Sequence, residues 1–477
     1  MLDSKKAMKR INNRITIFLA IMLVLGAVIG GRLVSLQVVK GPELTRRAGM
    51  QTEDDRKLQS PRGTIYDRNG KVMAISEIAK SVYGDPKMIN RSPEEMGVLL
   101  APYIKLKPEE ITERLKRDTA FVWLERTMDH ERYTGLKELI HQEKLEGLGF
   151  VDESRRFYPN GTMAAQLVGF VGNDDKGLDG LEMVLDNVIK GDVRKFRLTT
   201  DKNNVPILES TLEKILPDKQ RSVQLTIDST IQYVAEQGLD EIMSRSHPTG
   251  ASIIIMDPRS GEILAMASRP TFNPNEYGKG NSEAYKNRAV VNMYEPGSTF
   301  KPIMASAALQ AGTWDTSKVF HDVGYIDVDD RQIRNWDDSG YGDVTVKEIL
   351  KFSINTGMVR IGLSTGGDIL TEYATRYGFG KPTGIELPGE GTGILFNPKE
   401  MSRVDVATMS IGQGVAVTPL QMVQAFGGLA NGGHMMKPFL IKEIDNPDGS
   451  IYKKTDPVEV SEPISPEVSR VVSDIML

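Results

Sequence analysis

The spacing of apolar positions changes along the chain, and each spacing predicts a different kind of element. "ITIFLAIMLVLGAVIGG", Ile15 to Gly31, carries no charge, and apolar character resumes in "LVSLQVV" after Arg32. A bilayer core takes roughly 20 apolar residues in helical form. A membrane-spanning helix is therefore expected over residues 15–36, with Arg32 snorkelling to the interface. Alternation follows. "SPRGTIYDRNGKVMA", Ser60 to Ala74, sets two strand-like runs around Asp67-Arg68-Asn69-Gly70 and reads as a hairpin. "SPEEMGVLLAPYI" and "KPEEITERLKRD" each place Pro and Glu in a first helical turn. "FVWLER" predicts a strand, and "KGLDGLEMVLDNVIKG" an amphipathic helix after turn glycines. Val223 to Ile227 predicts another strand, followed by a helix. "ASIIIMDPRSGEILAMAS" predicts a second hairpin, and its continuous apolar run Ile253 to Met256 suits a central strand covered on both faces. Helical spacing dominates from Ser298 to Gln310, from Val344 to Gly362, and in "PEVSRVVSDIML", where Val468, Val471, Val472 and Ile475 share a face.

The fold class this predicts is α/β, in its α+β form: an antiparallel sheet with helices around it, behind an N-terminal anchor. The expected divisions are a tail at 1–14, the span at 15–36, a mixed N-terminal domain at 40–219, and a second domain at 220–477. The last boundary lies at the polar linker with Pro217 in "LEKILPDKQRSVQLTIDSTIQ". Lys5, Lys6, Lys9, Arg10 and Arg14 precede the span against the single acid Asp3. The positive-inside rule then puts the tail in the cytoplasm and the remainder outside the cell membrane. The same basic residues would suit a cleaved signal peptide, but the apolar run is long and no A-x-A-like site follows it.

Composition narrows the chemistry. A length of 477 residues suggests two or three domains. A net charge of -5 gives no sign of nucleic-acid binding. There are no cysteines, which excludes disulfides, a thiol nucleophile and a Cys-based zinc site. His130, His141, His247, His321 and His434 are scattered without metal-ligand spacing, so a metalloenzyme is not expected.

The candidate chemistry is in "YEPGSTFKP", Tyr294 to Pro302. Pro296-Gly297 break the chain, so Ser298 should fall in a first helical turn, where its N–H lacks an intrahelical acceptor and is free for an anion. Lys301, at i+3, shares its face. A serine is a weak nucleophile until a base takes its proton. A lysine among "TF" and "PIMASAAL" would be partly desolvated, which favours the neutral amine that could serve as that base. The bland alternative is an ordinary helix N-cap, because S-x-x-K is a weak pattern. It occurs again as Ser450 to Lys453 in "PDGSIYKK", an apparent hairpin, where i and i+3 point to opposite faces.

A second element, "KFSINTG", carries Ser353 and Asn355. S-x-x-K followed by S-x-N is the arrangement of penicillin-binding proteins and related β-lactamases. "YEPGSTFKP", "SINTG", "GFGKPTGIELPGE", "SIGQGVAVTPLQM" and "LANGG" together resemble a class B penicillin-binding protein. "RGTIYDRNG", "RRFYPNG" and "GLDGLE" resemble that family's N-terminal pedestal signatures. The resemblance implies a peptidoglycan D,D-transpeptidase of the division or sporulation type. Ser298 would be the nucleophile, Lys301 its base, Ser353 a proton relay and Asn355 a substrate-binding residue, with no cofactor. The implied partners are peptidoglycan stem peptides, the lipid-linked precursor polymer, β-lactams, and a membrane glycosyltransferase with other divisome proteins.

One departure from the family pattern stands out. The third family element, Lys-Thr-Gly on a strand lining the cleft, is not found; "KPTG" at Lys381 belongs to a different motif. The expectation is that the sequence stops before that motif and that this stretch alone is a poor or inactive enzyme. A β-lactam-sensing receptor, a D-Ala-D-Ala carboxypeptidase and a non-catalytic division scaffold are the alternatives. The pedestal argues against the first, a product assay separates the second, and tolerance of Ser298→Ala would mark the third.

Overall fold

A computed structural model describes residues 2–40, 53–59, 61–172, 174–191, 193–199, 220–279 and 281–477. The linker expected around Pro217 lies outside the described residues. The chain divides into two compact units, Met1–Gln59 with Asp192–Pro217, and Ser60–Gly191 with Asp218–Leu477.

The first unit contains a helix, Leu2–Val34, that continues as a π-turn over Ser35–Val39. Within it, Ile17–Val38 is long and apolar enough to cross a membrane, and among the described residues none of it is buried. An apolar helix left unburied is what a lipid-facing segment looks like. The same unit holds an antiparallel ribbon of Glu53–Gln59 and Val193–Thr199.

The second unit is built on a seven-stranded sheet that draws on both halves of the sequence. Its order is Ile451–Lys454, Ile441–Asp445, Ser222–Leu225, Ile65–Tyr66, Val72–Gly84 and Val122–Met128, with Leu148–Phe157 also paired to Val72–Gly84. Ser222–Leu225 runs parallel to Ile65–Tyr66, and the other pairings are antiparallel. The "DRNG" turn of the first hairpin is closed by Asp67, whose Oδ1 accepts from the N–H groups of Asn69 and Lys71, both at 2.8 Å. Its Oδ2 accepts from Ser229 N at 3.2 Å, which ties this turn to the start of the helix Ser229–Ser246. The helices Pro93–Leu100 and Pro108–Leu115 begin with Pro in the first turn, and Ser92 caps the former in a capping box with Glu95. They bury Met96, Leu100, Ile111 and Leu115.

The three pedestal signatures converge in space. Arg62 of the first donates from Nε to Glu182 Oε2 of the third at 2.6 Å, and Arg156 of the second donates from Nε to Glu182 Oε1 at 2.6 Å. Arg62 also reaches Asp186 Oδ1 at 2.6 Å. The Arg62 and Glu182 side chains are fully buried. Together these side chains form a buried ion cluster.

The structure corrects several expected elements. "GLEMVLDNVI" forms two short helices, Gly180–Val184 and Asp186–Ile189, instead of one. Among the described residues Ala251–Met256 pairs with Ile263–Arg269 alone, and Ile255 is exposed. The helix expected over 344–362 is broken into Val346–Lys351 and Asn355–Thr365. The closing helix, Pro466–Met476, does bury Val472 and pack Val468 and Ile475 against the helical core around Lys301–Gln310.

Candidate functional site

Gly297 has a φ of +56°, a conformation that glycine adopts without steric cost, and it starts the 3₁₀ turn Gly297–Phe300. The helix Lys301–Gln310 follows directly, with Pro302 in its first turn. Ser298 is exposed on the turn, while Lys301, one turn later, is 1% exposed. Phe300 anchors the turn from below, packed edge-on to Phe379 at 5.0 Å.

This turn is clamped from the far side by "SIGQGVAVTP". Tyr294 and Val417 exchange backbone hydrogen bonds at 3.0 Å, Gly297 N donates to Gly412 O at 2.9 Å, and Gly414 N donates to Glu295 Oε1 at 2.9 Å. A Cβ on Gly412 would sit 2.1 Å from Gly297 O, and Gly412 has a φ of +75°. Only glycine meets both demands at that position.

Ser353 lies in the helix break. Its φ is +54°, a left-handed conformation that is uncommon for a residue with a Cβ. Ser353 N donates to Leu350 O at 3.2 Å and Ile354 N to Ile349 O at 2.9 Å. This is the Schellman closure of the helix Val346–Lys351, with serine where glycine is usual. The consequence is that both oxygens of Ser353 turn toward Lys301. Lys301 Nζ lies 2.8 Å from Ser353 O, 3.0 Å from Ser353 Oγ and 2.7 Å from Asn355 Oδ1. Asn355 is fixed in turn by donating from Nδ2 to Arg334 O at 2.9 Å.

Lys301 has no carboxylate partner among the described residues. Burial alone pushes its amine down from the ordinary lysine value to about 8. As an ammonium it fills all three donor positions with Ser353 and Asn355. As a neutral amine it has a lone pair to receive a proton. Among the described residues Ser298 Oγ makes no hydrogen bond, so Lys301 is not in direct contact with it here. Such contacts are often long before a substrate is bound.

A cavity of about 350 Å³ opens above these groups, lined by Gly297, Ser298, Trp336, Ser353, Asn355, Ile411 and Gln413. The structure thus brings Ser298, Ser353 and Asn355 to one cavity, with Lys301 beneath it. Of the other lining residues, Trp336 carries no signal in a local reading, and Ile411 and Gln413 carry one only through their neighbours. "SIGQG" could have pointed to the last two, because two glycines around one polar residue mark a close backbone approach. Ser450 lies far from this chemistry, in the turn before the strand Ile451–Lys454, where its hydroxyl donates to Asp448 Oδ1 at 2.6 Å.

The comparisons with known proteins match both parts of the chain. Residues 251–477 match the penicillin binding protein transpeptidase domain, and residues 57–225 match the penicillin-binding protein dimerisation domain. The chain is 33% identical over 468 residues to stage V sporulation protein D of Bacillus subtilis, covering 97% of this chain and 72% of that one. It is 28% identical over 428 residues to the peptidoglycan D,D-transpeptidase FtsI of Escherichia coli, covering 87% and 70%. In fold it is similar to penicillin binding protein 2X of Streptococcus thermophilus, with a TM-score of 0.69 and 24% identity, covering 89% of this chain and 66% of that chain. With a dimerisation domain and a transpeptidase domain in one polypeptide, the chain belongs to the class B penicillin-binding proteins.

Proposed function

We propose that this protein is a peptidoglycan D,D-transpeptidase that works through an acyl-serine at Ser298. The observation that carries the reading is the buried, carboxylate-free Lys301, one turn from an exposed serine and bonded to Ser353 and Asn355. Neutral Lys301 takes the Ser298 proton as Oγ attacks the carbonyl of the penultimate D-Ala of a stem peptide. The oxyanion forms beside the Ser298 N–H. Ser353, within reach of Lys301, passes the proton to the leaving D-Ala amine, and the C–N bond breaks. The amine of a second stem peptide then attacks the acyl-serine, releases Ser298 and leaves a cross-link. Asn355 holds the amide of the acyl chain. β-Lactams acylate the same serine and stay there.

The N-terminal helix anchors the protein in the cell membrane, with residues 1–14 in the cytoplasm and the catalytic region outside. The substrates are stem peptides on the lipid-linked precursor polymer, supplied by a membrane glycosyltransferase, in septal division or sporulation. Labelling with a fluorescent penicillin, with and without Ser298→Ala, tests the acyl-serine. Stable label on wild type and none on the variant is expected; equal label on both would overturn the reading. A product assay on stem peptides must show cross-links, since release of D-Ala alone would indicate a carboxypeptidase.

A further inference from the structure

The buried polar groups beneath the cavity form a second layer that no direct substrate contact explains. Asp322 ends the strand Phe320–Asp322 and is 2% exposed. No lysine, arginine or histidine pairs with it among the described residues. Its carboxylate instead accepts four hydrogen bonds. Oδ1 accepts from Thr356 Oγ1 at 2.6 Å and Gly324 N at 3.0 Å, and Oδ2 accepts from Asn335 Nδ2 at 2.8 Å and Tyr341 N at 2.9 Å. Asn335 relays this inward, accepting from Thr356 N at 3.2 Å. Thr356 is fully buried. It directly follows Asn355, and the residue before Asn355, Ile354, offers its helix no side-chain cap. The orphan N–H of Thr356 is therefore satisfied by Asn335 from another part of the chain. Asn335 also neighbours Arg334, whose carbonyl holds Asn355 Nδ2, and Trp336, which lines the cavity.

A buried carboxylate without a cation is expensive to keep. Here all four partners are donors. Only a carboxylate can accept at both oxygens, whereas an amide would oppose two of these donors with its own N–H groups. We infer that Asp322 is a positioning residue: through Thr356 and Asn335 it locks the first turn of the helix Asn355–Thr365, and so fixes Asn355 Oδ1, and with it the site of Lys301 Nζ, at catalytic distance. The inference rests on the acyl-serine reading for its effect on rate, but not for its geometry.

The test uses the full chain carrying Thr356→Val, Thr356→Ser or Asp322→Asn. Valine keeps the shape of threonine and deletes one hydrogen bond to Asp322; serine keeps that bond. Misplacing a catalytic group by about 1 Å costs up to about 10²-fold in rate. Thr356→Val should lower the limiting rate of β-lactam acylation by roughly 10- to 10²-fold, with the preceding binding constant unchanged. Thr356→Ser should restore the rate, and Asp322→Asn should lose at least as much as valine. Crystal structures of the variants supply a readout independent of labelling, with Asn355 Oδ1 withdrawn from Lys301 Nζ in the valine variant. Wild-type rate or unmoved Asn355 in Thr356→Val would overturn the inference. So would a rate loss that follows the thermal midpoint equally in the valine and serine variants. A wild-type chain that takes no label would sink the acyl-serine reading alone, and the Asn355 position would still decide the role of Asp322.

Discussion

Two groups of buried cations in this protein solve the same problem in opposite ways. In the pedestal, Arg62 and Arg156 are removed from water but share Glu182, one guanidinium on each carboxylate oxygen, and Asp186 supports Arg62. Guanidinium keeps its proton, and its fork matches a carboxylate, so the charges are fixed and matched. At the cavity, Lys301 is as deeply buried, yet it meets only a hydroxyl, a carbonyl and an amide oxygen. Neutral acceptors satisfy its N–H groups without stabilising its charge as a carboxylate would. Burial then brings its proton within reach of neutral pH. Pairing with carboxylates holds parts of a fold together, while burial among neutral acceptors prepares a group to react.

The sharpest way to break this comparison is to remove Lys301. Lys301→Ala should leave the protein folded and lower acylation by roughly 10² to 10⁴, the range for loss of a general base. The measurement is the rate of penicillin labelling. If the variant unfolds while its acylation per folded molecule is unchanged, Lys301 is structural and the contrast fails. The matching change in the pedestal is Glu182→Gln. It leaves two buried guanidinium groups around a neutral amide and should cost about 3–5 kcal/mol of stability. Chemical denaturation measures this. A loss within experimental error would mean that water reaches the cluster.

The next test uses pH. With Lys301 near 8, the neutral amine falls about tenfold for each pH unit below that value. Acylation should rise roughly tenfold from pH 6 to 7 and level off above about 8. The sign for stability follows from the same shift. Between about 8 and the ordinary lysine value the unfolded chain holds a proton that the folded chain does not, so the Lys301 contribution to stability improves as pH rises. Below that window both states are protonated and the cost of burial is constant. A flat rate profile from pH 6 to 8 would remove Lys301 as the base.

Part of this site is legible in the sequence because it is local. Pro296-Gly297 stop the chain, and Ser298 and Lys301 fall one turn apart, so nothing distant is required to see them. Likewise, the apolar run after Ile15 and the "DRNG" turn need only neighbouring residues. The break at Ser353 is hidden because Leu350, Ile354 and Met358, spaced four apart and all packed in the same core, continue a helical apolar pattern across it. Arg62 and Glu182 lie 120 positions apart, and no periodicity links them. The same holds for Gly412 against Gly297 and for Asp322 against Thr356. The surroundings of Ile253 to Met256 are hidden for a different reason. An apolar run reports the preference of side chains for burial, but not how many strands lie beside it.

The smallest expected effect on stability belongs to Ser353, and it isolates what the left-handed turn is for. A non-glycine residue at φ +54° costs about 1–2 kcal/mol relative to a relaxed backbone. Ser353→Gly removes that cost. It also gives the unfolded chain more freedom, which takes back about 0.5–1 kcal/mol. The variant also loses the hydroxyl 3.0 Å from Lys301 Nζ, but keeps the carbonyl at 2.8 Å through the backbone. Stability should therefore change by less than about 1 kcal/mol in either direction. If Ser353 carries a proton between Lys301 and the leaving amine, acylation should still fall by about 10² or more. Ser353→Ala separates the two contributions, because it keeps the strain and loses only the hydroxyl. The alanine and glycine variants should be equally slow and differ only in stability. If both retain wild-type acylation, serine stands at this strained position for some reason other than proton transfer. Lys301 would then have to exchange its proton with the substrate directly.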